Sequence, residues 1–185
     1  MSLLARLELA GIDVGARWVE LGEWLAARAE DTVQPFLTLQ YLYGLARAGR
    51  PEADRLLQAV RVAADIAPGH VRDAWRDIAI PAAEGLLAQA RGDHEVAVKR
   101  LGQALPRLIE VGGSHAQRDF FEQVLLDAVI RSGRLGLAQQ MLEARRAHDP
   151  DGVPLNRALA AVYRKLDLPA QAAVADARVA ARLAR

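Results

Sequence analysis

The sequence predicts an all-α fold, a helical solenoid of about five antiparallel helix pairs. Three observations lead there. The chain holds 37 alanines and only two threonines, Thr32 and Thr38, a balance that favours helix over sheet. Apolar residues recur three and four apart, the helical period, in stretches divided by Gly, Pro and Asp. The breaks inside successive helix pairs fall at Gly11, Gly49, Gly92, Gly133 and Asp167, spaced 38, 43, 41 and 34 residues apart. That interval is the period of two-helix repeats.

Each element has its own signals. Leu3, Leu4, Leu7 and Leu9 form the end of a helix that Gly11 stops. Asp13 is placed to cap the next, which carries Val14, Trp18, Leu21 and Leu25 at helical spacing; Trp18 and Trp24 read as core and edge packing. Asp31 or Thr32 starts a third helix with Pro35 in its first turn, where a missing N–H is tolerated. Phe36, Leu39, Leu42, Tyr43 and Ala46 carry it to Gly49. Pro51 opens a fourth with Ala53, Leu56, Leu57, Val60 and Ala63, and Ala67-Pro68-Gly69 breaks it.

From His70 to Ala90 the pattern is interrupted by Pro81. Either a helix ends near Ile80 or one helix kinks there. Gly92-Asp93 closes this stretch. Val96, Val98, Leu101, Leu105, Leu108 and Ile109 make the next helix, with a bend expected at Pro106. Phe121, Leu125, Ala128 and Val129 lead to Ser132-Gly133, and Leu135–Ala147 follows, closed by Asp149-Pro150. Pro154–Tyr163 and Pro169–Leu183 make the last pair. The expected units are 1–29, 31–67, 70–111, 114–149 and 152–185, within one domain spanning 1–185.

Composition narrows the function classes. Hydrophobic residues make up 52% of the chain but aromatics only 5%. The core is therefore built from small and aliphatic side chains, which suits helices in close contact. The net charge is +1, and 22 of the 24 basic residues are arginines. Such balance gives no global attraction to nucleic acid or membrane, so a nucleic-acid partner is not expected. With no cysteine, disulfides and thiolate metal sites are excluded. No run approaches the ~20 apolar residues of a membrane span. The first residues lack the apolar core of a signal peptide, so a cytoplasmic location is expected. His70, His94, His115 and His148 are scattered, with no pair at i,i+4, so no metal is expected. No cofactor is expected either.

The one dense cluster of chemically capable residues is Gly112-Gly113-Ser114-His115-Ala116-Gln117-Arg118-Asp119. Gly112-Gly113 ends a helix. Ser114 and Gln117 form a capping box, in which each satisfies the other's backbone N–H, worth about 1 kcal/mol. His115, Arg118, Asp119 and Glu122 then fall at i, i+3, i+4 and i+7, on one face. That face reads either as a mutually satisfied helix start or as a binding site. The Gly-Gly-Ser-His-Ala string superficially resembles a nucleophile elbow, but that motif needs a strand entering the turn. The residues before this one read as helix, so no catalytic set is assigned.

Aligned on the break residues, the units share small and aliphatic positions. These are Gly85, Ala88, Gly92, Ala97, Leu101 and Ala104 in the third, Leu125, Leu126, Val129, Gly133, Ala138, Leu142 and Pro150 in the fourth, and Leu159, Ala160, Tyr163 and Ala172 in the fifth. They stand where a tetratricopeptide repeat has its small and aliphatic residues. Small residues let two antiparallel helices approach, and each pair needs neighbours to bury its other face.

Beyond the repeat, the chain resembles the tetratricopeptide repeat protein 38 family. The residues that carry the likeness are the stretch from Gly112 to Asp119, Phe121-Glu122-Gln123, and Ser132-Gly133-Arg134 with Ala138. Val14–Trp18, Pro35-Phe36 to Tyr41 and Gly85–Asp93 support it. Members of that family are longer, and the chain matches the C-terminal part of their length. The resemblance implies a tetratricopeptide-like right-handed α-solenoid and implies no reaction.

A solenoid of this kind binds on its concave face, lined by the first helix of each pair. In this register Phe36, Gln40, Tyr43, Arg47, Gln89 and Phe120 face inward, as do Gln123, Asp127, Arg131, Arg157, Arg164 and Lys165. Arginine forks suit carboxylates and aromatic anchors supply buried area, so an extended or helical peptide with acidic groups is the expected partner. The candidate partner-binding residues are His115, Arg118, Asp119, Glu122, Gln123, Asp127 and Arg131, with Tyr43 and Arg47. The leading expectation is a non-catalytic protein-interaction module. The alternative is a small-molecule-binding protein or enzyme with a polar pocket at His115, Arg118, Asp119 and Glu122. An apolar edge at Leu3, Leu4 and Leu7 would also allow a homodimer.

Overall fold

The computed structural model describes residues 1–184, and every regular element among them is helical. In chain order these are α1 (Ser2–Leu9), α2 (Arg17–Leu25), α3 (Pro35–Arg47), α4 (Glu52–Ile66), α5 (Gly69–Asp73), α6 (Ile80–Ala90), α7 (His94–Ala104), α8 (His115–Arg131), α9 (Leu135–Arg146), α10 (Val153–Lys165) and α11 (Pro169–Leu183). The chain divides into two compact units, Met1–Ala128 and Val129–Arg185, with the division inside α8. Among the described residues, no helix is long and apolar enough to cross a membrane.

The five expected breaks share one backbone state. Gly11, Gly49, Gly92, Gly133 and Asp167 all have positive φ, and Asp167 is the one non-glycine among the described residues to do so. A helix stopped by a residue in the left-handed region can turn back at once, which is why these positions space the hairpins. Asp167 holds φ 57 because a short polar side chain is among the few that tolerate that region.

In the first unit α3 is the central helix. It packs against α2, α4 and α6 and buries residues all round its circumference, from Phe36 and Leu39 to Tyr43 and Leu45. The other helices bury a stripe. On α4 the buried residues Ala53, Leu56, Leu57, Val60, Ala63 and Ala64 follow the three-and-four spacing of one face. The α6–α7 hairpin closes on Gly85, where an added Cβ would lie 2.7 Å from Leu101 Cγ. Ala97, Leu101 and Ala104 complete that seam with no exposed surface. Five of the nine aromatics form a chain of edge and tilted contacts. Trp18 meets Tyr43 at 5.9 Å, Tyr43 meets Phe120 at 5.2 Å, Phe120 meets Phe121 at 5.1 Å, and Phe36 meets Phe121 at 6.0 Å. Each such pair adds about 0.5–1.5 kcal/mol beyond its area.

The prolines act in different ways. Pro81 neither ends the helix nor starts a new one. It cannot donate to the carbonyl four residues back, and the preceding turn, Ala74–Ala79, widens into a π-helix that carries the backbone helically into α6. At Pro106 the path tightens instead: α7 stops at Ala104 and a 3-10 segment, Leu105–Val111, follows. These two irregular segments are cross-linked outside. Arg107 bonds Glu110 at 2.7 Å and reaches Asp77 at 3.6 Å, while Arg76 bonds Asp77 at 2.8 Å. The hydrogen bond from Arg76 holds the Asp77 carboxyl below its ordinary range, and that from Arg107 does the same for Glu110.

Two expected caps are turns instead. Asp13 accepts from the Gly15 N–H at 2.8 Å, ahead of α2, and Asp31 accepts from the Val33 N–H at 3.3 Å, ahead of α3. In both places the carboxylate folds the loop before the helix rather than capping the helix. Trp24, expected to pack at an edge, is 81% exposed.

The second unit has a core of small residues around one tyrosine. Ala138, Leu142, Leu159, Ala160, Val162, Tyr163, Ala172 and Ala175 are buried, and α10 packs on both α9 and α11. The Tyr163 hydroxyl donates to Glu143, which also pairs with Arg146 at 2.7 Å.

Candidate functional site

The stretch before α8 is built by backbone constraint. Gly112 has φ 96 and ψ −159, a region that is essentially glycine-only. Gly113 has φ 78, and an added Cβ would lie 2.6 Å from Phe36 Cε2, so this position excludes a side chain twice over. The capping box forms as the spacing predicts. The Ser114 N–H donates to Gln117 Oε1 at 2.7 Å, and the Gln117 N–H donates to Ser114 Oγ at 3.3 Å.

The four polar residues that follow do not act as one cluster. Arg118, half-buried, turns back and donates to the Gly113 carbonyl, locking the turn it follows. Asp119, also half-buried, accepts from Gln123 Nε2 at 2.6 Å and from Arg6 Nη1 at 2.8 Å, a residue 113 positions away. His115 and Glu122 are exposed. Each is seven residues, two turns, from the other and so on one side of the helix.

The remaining candidates sit in different environments. Tyr43 is 3% exposed and belongs to the aromatic chain. Phe36, Gln40, Gln89 and Phe120 are buried as well, so these residues are core, not lining. The reason is that α3 and α6 are enclosed on several sides; periodicity identifies a face but not how many faces neighbours cover. Gln89 donates to Asp127 and accepts from His94 Nδ1 at 2.8 Å, a polar chain linking α6, α7 and α8 that fixes His94 with its proton on Nδ1. Arg131 is exposed and lies in the second unit.

Arg47 leads to the arrangement with most chemical content. It donates through Nη2 to Glu8 Oε1 while its Cζ stands 5.9 Å from the centre of the Trp18 ring. Trp18 Nε1 donates to Glu8 Oε2 at 3.2 Å. On the opposite flank of α1, Arg6 Nη2 donates to the Ala116 carbonyl at 2.7 Å beside its bond to Asp119. The first helix is thus held by charge-matched ties to α3 and α2 on one flank and to α8 on the other. Sequence reading missed Arg6 and Glu8. The available signal was two opposite charges, two residues apart, in a helix that is otherwise Leu and Ala after Ser2.

Two clefts lie away from these residues. A cleft of about 390 Å³ is lined by Gly49, Arg50, Asp54 and Arg91, and one of about 410 Å³ by Arg61, Glu84, Arg91 and Arg100. Their arginines are paired: Arg50 with Glu52, Arg91 with Asp54, and Arg61 and Arg100 with Glu84. Among the described residues no three His, Asp or Glu side chains gather as a metal ion needs. No family model matches the chain, and no solved structure matches it.

Proposed function

We propose that this chain is a non-catalytic protein-interaction module, a tetratricopeptide-like right-handed α-solenoid that binds a helical segment of a partner protein. The carrying observation is that the first unit already holds a short helix, α1, against α3 and α8 by a carboxylate on Arg47 and a guanidinium on Asp119. A surface that grips one helix by complementary charges has the chemistry to grip another. The shared left-handed breaks and the buried small residues of the α6–α7 and α10–α11 hairpins support the repeat reading, as does the resemblance to the tetratricopeptide repeat protein 38 family. In the alternative, a polar small-molecule pocket, the four side chains would converge; here Arg118 and Asp119 are engaged apart from each other.

The test is capture from an extract of the native host, followed by titration of the purified captured protein against the full chain. His115→Ala/Glu122→Ala removes two exposed side chains and leaves the fold intact. On this reading it weakens binding at least tenfold. Unchanged affinity, with Arg131→Ala also unchanged, counts against a binding surface along α8.

A further inference from the structure

We infer that α1 is an exchangeable occupant of the surface where α2, α3 and α8 meet, and that the partner is an amphipathic helix carrying a small residue directly before an Arg, with a Glu two residues after that Arg. The inference rests on the interaction-module reading and adds the kind of partner and a form of regulation, since the chain's own helix must leave before the partner's can seat.

The geometry of α1 states what the surface recognises. At about 100° per residue, Arg6 and Glu8 lie roughly 160° apart by the shorter arc, and Ala5 falls within that arc. Ala5 is fully buried and belongs to the same apolar cluster as Trp18, Tyr43 and Phe120. Arg6 and Glu8 reach to opposite flanks. Leu3, on the other arc, is 71% exposed. A small residue on the floor lets the helix approach, and one charge on each flank fixes direction and register.

α1 is also an incomplete occupant. Glu8 divides its two oxygens between Trp18 and Arg47, and Arg47 Nε stays buried with no hydrogen-bond partner among the described residues. A carboxylate that met Arg47 through both Nε and Nη2 would satisfy the whole fork. A foreign helix presenting its acid in that way would outcompete α1. The Ala10–Ala16 connection, with Gly11 and Gly15 at positive φ, joins α1 to α2 without regular structure.

The probe is a fluorescein-labelled peptide of residues 1–11, stapled through the exposed positions 3 and 10. It is titrated into the full chain as wild type, as Ala5→Arg, whose own α1 cannot seat, and as Ala5→Arg/Arg47→Ala. The expected result is at least tenfold tighter binding to folded Ala5→Arg than to wild type, with at least tenfold loss in the double variant. A folded Ala5→Arg chain that binds no tighter than wild type overturns the inference. Should Ala5→Arg fail to fold, hydrogen exchange on the wild type decides. Exchange of the Ala5–Leu9 amides at least a hundredfold faster than those of Leu39–Leu45 supports exchangeability, and equal protection refutes it. Loss of the peptide result while the captured protein still binds in a Glu122-sensitive way would remove the exchange mechanism and leave the module reading standing.

Discussion

Two junctions in this molecule solve one problem differently. Ahead of α8 and ahead of α10, a side chain from the first helical turns folds back onto loop carbonyls. Before α10 the residue is Asn156, fully buried, whose Nδ2 donates to the Pro150 and Gly152 carbonyls at 2.9 and 3.0 Å. The closure is neutral and local. Before α8 the residue is Arg118, half-buried, and beside it Asp119 is tied to a helix 113 residues away. The first junction ends a loop; the second also reaches across the fold. A junction that only needs closing uses a buried amide, whereas charges held at half exposure can still be exchanged for a partner's. That difference is why we propose the binding site at α8 rather than at α10.

The comparison can be broken most strongly at Gly113. Gly113→Ala meets both a positive φ and the Phe36 ring and is expected to destabilise the chain by about 2–4 kcal/mol, read as a fall in the denaturation midpoint. In a Phe36→Ala background the increment should shrink to the backbone part alone, about 1–2 kcal/mol. Asn156→Ala comes next. It takes the side-chain donor from the Pro150 carbonyl, while the Gly152 carbonyl keeps the Asn156 N–H, and should cost about 1 kcal/mol, with no dependence on salt. Ser114→Ala removes half of the capping box and should cost about 1 kcal/mol by the same measurement.

A double-mutant cycle on Arg6→Ala and Asp119→Ala sharpens the contrast. It should give a coupling of about 0.5–1 kcal/mol that falls in high salt, which the Asn156 junction cannot show. The smallest effect is the acid side of the stability curve. Asp77 and Glu110 titrate below their ordinary range in the folded chain. Their contribution is therefore present above the usual carboxylate range and is lost as the pH falls below it, towards the depressed values of the folded chain. Asp77→Asn/Glu110→Gln should flatten that limb slightly.

Local features were legible in the sequence because local rules set them. The left-handed breaks at Gly11, Gly49, Gly92 and Gly133, and even at Asp167, follow from where a helix must stop, and the Ser114–Gln117 box follows from spacing three apart. The widened turn before Pro81 was not legible, since a proline inside a helical pattern allows an end, a kink or a π-turn, and packing against α3 and α4 selects among them. Nor was the burial of Tyr43 and Phe120. A helical period shows which residues share a face, not that α3 would be enclosed on several sides. The ties from Arg6 and Glu8 were out of reach for the same reason: their partners are chosen by tertiary folding.

The central claim, that the face shared by α3 and α8 receives a partner's helix, is tested most directly by hydrogen exchange on the full chain with and without the purified captured protein. The account predicts new protection over residues 41–47 and 115–123, with faster exchange in Ser2–Leu9 as α1 leaves. Protection confined to other residues, with α1 unchanged, would contradict it.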